Sequence, residues 1–309
     1  MNIRTSPLVQ MADEAKRPTS WWLAWIVGAV MIVGGSIAGD AVGSLLLGNP
    51  GHADTLFQFK EFFIFGVTLL LLFLWLRFKE GRPFSSVGFR GSNPVGKLAL
   101  GFLVGAVMMT VGVLVPWALG AYKSGASEHT NVGSSALVAV IPLLLVFLWQ
   151  ASTEEAVTRG YMLQMAGRQI PGWAAILGTS VFFSVIHMDF RPIVLLNIAL
   201  YAVFASFIAL GQGNLWLIAG IHAGWNYFQG NIYGLPVSGN TEASSLFAIG
   251  PASGSSDLMT GGDFGVEASI VGTVILLIAC AIGYTYLRRA NRTRTITLDA
   301  ATSSANLAA

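Results

Sequence analysis

Eight stretches of this 309-residue sequence are apolar over lengths that suit membrane helices: about Trp21–Gly39, Phe62–Leu76, Leu98–Leu119, Ala136–Trp149, Trp173–His187, Ile193–Leu210, Leu215–Phe228 and Ile270–Leu287. Backbone that enters hydrocarbon must satisfy every N–H and C=O internally, which leaves only helices or closed barrels. Apolar runs of this length, without strand-like alternation, select helices. The expected fold class is an all-α polytopic membrane protein with about eight transmembrane helices. Composition agrees, since 54% of residues are hydrophobic and 10% charged, against roughly 25% charged in a soluble domain. The windows are unequal. The first, third and eighth suffice alone, whereas the fourth, fifth and seventh fall short of the roughly 20 residues a span needs unless their polar ends are buried too. Those three carry charged or histidine residues at their edges.

Basic residues accumulate in cytoplasmic loops and so orient the spans. With eight spans and the N-terminus inside, every one of the 17 basic residues except Lys60, Lys123 and Arg191 falls on the inner side. Both termini are therefore expected in the cytoplasm of a multi-pass protein of the cell (plasma) membrane. Residues 1–20 form a polar lead, longer and more mixed than a signal-peptide n-region, so the first window is expected to be a retained span. The membrane domain is expected over 21–289 and a disordered tail over 290–309. Residues 229–269 contain no Lys or Arg and are rich in Gly and Ser, which predicts an external, largely irregular and passive loop. Cys280 is the single cysteine, which excludes a disulfide framework. Membrane lipids are the expected surroundings, with no nucleic-acid partner.

Against this background "STEEAVTRG", residues 152–160, stands out, because it follows directly on "ALVAVIPLLLVFLWQ". Carboxylates inside a membrane are costly and mark function. Of four histidines, His52 and His129 fall in predicted external loops, and His187 and His222 inside apolar windows. If the fourth helix continues through residue 168 to a turn at "GRQIPG", Glu154 lies about 15 residues before that turn and His187 about 17 after it, at nearly equal height in an antiparallel hairpin. Helix geometry also pairs residues four apart. Glu155 can pair with Arg159, while Glu154, rotated about 100° away, lacks that cation and is free to act as a base. Phe183 with His187, and His222 with Asn226, share faces in the same way. His187 can orient a water at Glu154, and His222 and Asn226 can donate to an oxyanion, a sufficient kit for amide hydrolysis. The competing reading is a polar network that merely joins helices.

These segments resemble a known family. "EEAVTRG" is similar to its EExxxR motif, "FFSVIH" to its FxxxH motif, and "GNLWLIAGIHAGWN" to its last motif, HxxxN or HxxxD after a small-residue lead. The family is the CPBP group of intramembrane endopeptidases, comprising CAAX prenyl proteases and bacteriocin-processing proteins and also called the Abi family, and the resemblance covers about 136–230. It implies an eight-helix core with a cavity open to the cytosol and to lipid. Glu154 and His187 would activate water, His222 and Asn226 would stabilise the tetrahedral intermediate, and Glu155, Arg159 and Phe183 would support them. The implied activity is a CAAX-type (type II) peptidase acting on a membrane-associated or lipidated, prenylated or unprenylated, peptide or protein. A metal-free mechanism is preferred and zinc is the alternative, with Glu154, His187 and His222 as its ligands. A non-catalytic scaffold or immunity-type protein with the same core is the alternative of another class.

Overall fold

The computed structural model describes residues 2–51, 54–125 and 131–308, with side chains described to 297; His52 and His129 lie outside the described residues. The chain is 75% helical. Its main helices are α1 (Trp21–Leu47), α2 (Thr55–Leu74), α3 (Pro94–Ala118), α4 (Leu137–Val157), α5 (Leu163–Gln169), α6 (Gly172–Val185), α7 (Pro192–Gln212), α8 (Trp216–Tyr227) and α9 (Ile270–Ala308). Each of the eight apolar windows is helical, and α4 runs through a wide π-helical turn at Thr158–Met162 into α5. Six helical runs are long and apolar enough to cross a membrane, so the protein is an integral, multi-pass, all-α membrane protein. Helices α6 and α8, with 14 and 12 residues, are too short to cross alone. The reason is position, at least for α8, which is enclosed by α3, α4 and α7 and is buried from Ile218 to Tyr227.

Local sequence sets the helix ends. Asp54 caps α2 by accepting from the Leu56 N–H at 2.9 Å, and Asn93 caps α3 through the Gly96 N–H at 3.1 Å, with Pro94 in the first turn. Gly213, at φ 73°, ends α7 in the left-handed conformation that favours glycine.

Glycine spacing then places α8 at the centre. Gly101 and Gly105 of α3 face α8, and Gly220 and Gly224 of α8 face α3. A Cβ on any of the four would run into backbone of the opposite helix. Two pairs spaced four apart thus let the backbones touch, as small residues do in membrane helix pairs. Side chains on the far side of α8, His222 and Asn226 among them, are left to face the interior. Gly220→Leu is expected to cost about 1–3 kcal/mol or more through overpacking, seen as a lower melting temperature of the detergent-solubilised protein. An unchanged melting temperature would show that the two helices can separate freely.

The polar segments are held to the bundle, and the expectation of a disordered tail needs correction. The lead, 1–20, packs onto the bundle: Ile3, Leu8, Val9 and Ala12 are buried, Ser6 donates to Leu210 C=O at 2.7 Å, and Arg168 pairs with Asp13 at 2.5 Å. Apolar residues on one side of a short polar stretch suffice to dock it. The tail continues as helix to Ala308 rather than as an irregular end, and Arg294 ties the extension to the Leu210 and Gly211 carbonyls at 3.1 and 2.7 Å. In residues 229–269 only short strands and single helical turns are regular, and contacts with the bundle fix them in place. In this loop β3 (Ser244–Ser245) pairs with β2 (Asn131–Val132), and β4 (Ile249–Pro251) with β1 (Tyr122–Ser124). Asn231 holds the Ser244 carbonyl at 2.7 Å. From below, Asn197 of α7 donates to the Glu267 and Ser269 carbonyls at 2.8 and 3.0 Å and accepts from Thr273 of α9 at 2.8 Å. Hydrogen bonds from three separate elements fix a segment whose composition alone reads as flexible.

Candidate active site

A cavity of about 370 Å³ lies between α1, α2, α4, α6, α7, α8 and the 229–269 loop. Glu154, Phe183, His187, His222 and Asn226 all line it. The hairpin turn at Ile170–Pro171 returns the chain as α6, and His187 follows directly on its end. This brings the four predicted chemical groups together from three helices.

Arrangement within the group is specific. His222 donates from Nδ1 to Glu155 Oε1 at 3.0 Å, and its Nε2 lies 3.7 Å from Glu154 Oε2. Both ring nitrogens therefore face a carboxylate. Glu155 has a second neighbour, Arg159, whose Nε lies 3.4 Å from Oε2 with both side chains fully buried. The Arg159 guanidinium is stacked 4.5 Å from the Phe183 ring centroid and 5.9 Å from that of Tyr201, contacts that favour a desolvated cation. Arg159 also donates to Thr158 Oγ1 at 2.7 Å, and Thr158 in turn donates to the Glu154 carbonyl at 2.6 Å. Glu155, Arg159 and Thr158 thus hold the α4 backbone at Glu154 while leaving the Glu154 carboxylate to the cavity.

His187 is held by the Phe183 carbonyl, 2.7 Å from Nδ1. A carbonyl only accepts, so Nδ1 carries the proton and Nε2 keeps its lone pair. Phe183 accordingly has two tasks, since its backbone fixes the His187 tautomer and its ring covers Arg159. Asn226, 4% exposed, lines the cavity one turn beyond His222. Tyr201, which the sequence reading did not single out, packs its ring 5.0 Å from that of His222. Its aromatic character within an apolar helix gave no sign of this. Three carboxylates were also missed: Glu61 of α2, and Glu242 and Glu267 of the loop, all of which line the cavity. Glu267 is held by the Ser238 N–H and hydroxyl at 2.8 and 2.9 Å, and burial raises its pKa above the usual carboxylate range.

Residues 136–228 match the family model of the type II CAAX prenyl endopeptidases, Rce1-like. The match covers 93 of the 309 residues and is a likeness of that segment. The matched segment spans α4 to α8 and so includes every residue of the three motifs, whereas Glu61, Glu242 and Glu267 lie outside it. No curated protein and no solved structure matches the chain.

Among the described residues no three His, Cys, Asp or Glu side chains converge closely enough to hold a metal ion. Glu154, His187 and His222, the set a zinc ion would use, line one cavity without closing into a ligand cluster.

Proposed function

We propose that the protein is an intramembrane endopeptidase of the cell membrane that hydrolyses a peptide bond in a membrane-associated or lipidated polypeptide. The observation that carries this reading is the division of two adjacent carboxylates: Glu155 is bound by Arg159 and His222, and Glu154 faces the cavity. In the proposed reaction, Glu154 takes a proton from a water that the His187 Nε2 lone pair orients, and the hydroxyl oxygen adds to the scissile carbonyl. His222 Nε2–H and the Asn226 amide donate to the oxyanion. Glu154 then delivers its proton to the leaving nitrogen, so that amide and water become carboxylic acid and amine. The Glu155 carboxylate accepts from His222 Nδ1 and so favours a doubly protonated ring with a donor left at Nε2. The apolar part of the lining, with Ile32 and Ile64 from α1 and α2 and Ile186 beyond α6, suits a substrate that arrives from lipid.

The test is cleavage of a library of N-palmitoylated peptides by the purified full chain in proteoliposomes, read by mass spectrometry. Cleavage abolished by Glu154→Gln supports the proposal. Tight binding without any cleavage would favour a scaffold instead. Zinc, measured per chain after purification without chelator, is expected well below one equivalent. A stoichiometric zinc content that disappears in His187→Ala would overturn the metal-free mechanism.

A further inference from the structure

Among the described residues, five carboxylates line the cavity: Asp40, Glu61, Glu154, Glu242 and Glu267. Three are engaged. Asp40 pairs with Lys60 at 2.6 Å, Glu154 faces His222, and Glu267 accepts from Ser238. Glu61 and Glu242 have no hydrogen bond or ion pair from any described residue, although Glu242 is only 3% exposed. Lys60 is the one lysine or arginine among the described lining residues, and Asp40 already holds it. Glu242 is nonetheless built into place. Its side chain packs against Gly230, where any Cβ would collide with it, and the strand pairing of Ser244 with Asn131 fixes the backbone two residues on. Burial and the nearby charge of Glu61 push the Glu242 pKa well above the usual carboxylate range. A buried, unpartnered carboxyl group facing a second, half-buried one across the same space is unfavourable unless something positive or a shared proton joins them.

We propose that Glu61 and Glu242 form a subsite for a cationic side chain, the ammonium of lysine or guanidinium of arginine, in the peptide that enters the cavity. The inference rests on the peptidase reading for the identity of its ligand. Geometry supplies the rest: the pair shares one cavity with Glu154, His187 and His222, so a polypeptide lying across the catalytic groups can place a basic side chain between the two acids. The subsite is composed of one residue from α2 and one from the loop, so the loop contributes to specificity rather than closing the bundle passively. The competing account is a carboxyl–carboxylate pair that shares a proton and only ties the loop to α2.

The experiment uses the full chain carrying Glu154→Gln, so that binding is measured without turnover, in nanodiscs of neutral phosphatidylcholine with empty discs as the control. The probes are N-palmitoylated ten-residue peptides with a single lysine moved through the sequence, each compared with the same peptide containing norleucine and then arginine. At one position lysine and arginine are expected to bind about 10-fold more tightly than norleucine, as a charge-assisted contact with a desolvated carboxylate allows. Glu242→Gln, and independently Glu61→Gln, should reduce that ratio to below about 3-fold. A ratio near one at every position, including no measurable binding of any peptide, overturns the subsite, and so does a preference that survives both substitutions. The comparison of lysine with norleucine needs neither substitution, so it stands even if one variant misfolds. Cleavage by the chain with Glu154 intact but no basic preference would overturn this inference alone. Basic preference in binding with no cleavage by that chain would instead overturn the peptidase reading.

Discussion

Glu154→Gln is expected to lower peptide cleavage by roughly 10²- to 10⁴-fold, the usual contribution of a positioned general base, with little change in melting temperature. Glutamine keeps the shape and removes only the proton acceptor. The Glu154 side chain is 22% exposed and lies 3.7 Å from His222 Nε2, and after the change His222 keeps its closer contact with Glu155 at 3.0 Å. Glu155→Gln should behave differently. Its carboxylate is fully buried between Arg159 and His222, and the substitution leaves the Arg159 cation without its counter-charge. Cleavage should fall there together with stability. Measuring kcat/KM and thermal unfolding on both variants separates the two roles. Equal destabilisation, with no selective loss of cleavage for Glu154, would sink the assignment.

The contrast between neighbouring acids was legible in the sequence because helix periodicity is local. Spacing of four assigns Arg159 to Glu155 and leaves Glu154 turned away, and the same spacing sets Phe183 beside His187 and His222 beside Asn226. Hydropathy likewise locates the eight helices, since it is a property of each window. What escaped depends on packing between distant segments. Glu61 precedes Phe62, where the apolar window begins, so a hydropathy cut discards the residue that α2 carries into the cavity. Glu242 and Glu267 sit among glycines and serines that read as flexible, and the hydrogen bonds that order them come from Asn131 and Asn197, more than 60 residues away in sequence. Asn197 stands in an apolar window with nothing near it in sequence to show its partner. The second partner of Glu155, His222, is 67 residues distant and no spacing rule reaches it.

Arg159→Met is expected to destabilise the protein by about 3–5 kcal/mol, the cost of removing one partner from a buried ion pair. Methionine fills much the same volume between the Phe183 and Tyr201 rings, so the loss would report charge more than a cavity. With the cation gone, Glu155 keeps the His222 contact at 3.0 Å but loses its permanent counter-charge in a place with no access to water. Glu155→Gln placed in the same chain removes the unpaired carboxylate and should restore a large part of the stability, a coupling that a double-mutant cycle on thermal or denaturant unfolding measures directly. If Arg159→Met costs as much beside glutamine as beside glutamate, the pair is not what holds α4 in place. Activity should follow another course. The Glu155 carboxylate also accepts from His222 Nδ1, and a neutral glutamine oxygen in its place no longer favours the protonated ring that offers Nε2–H to the oxyanion. The double variant is therefore expected to regain stability without regaining cleavage, because one carboxylate serves the fold through Arg159 and the chemistry through His222.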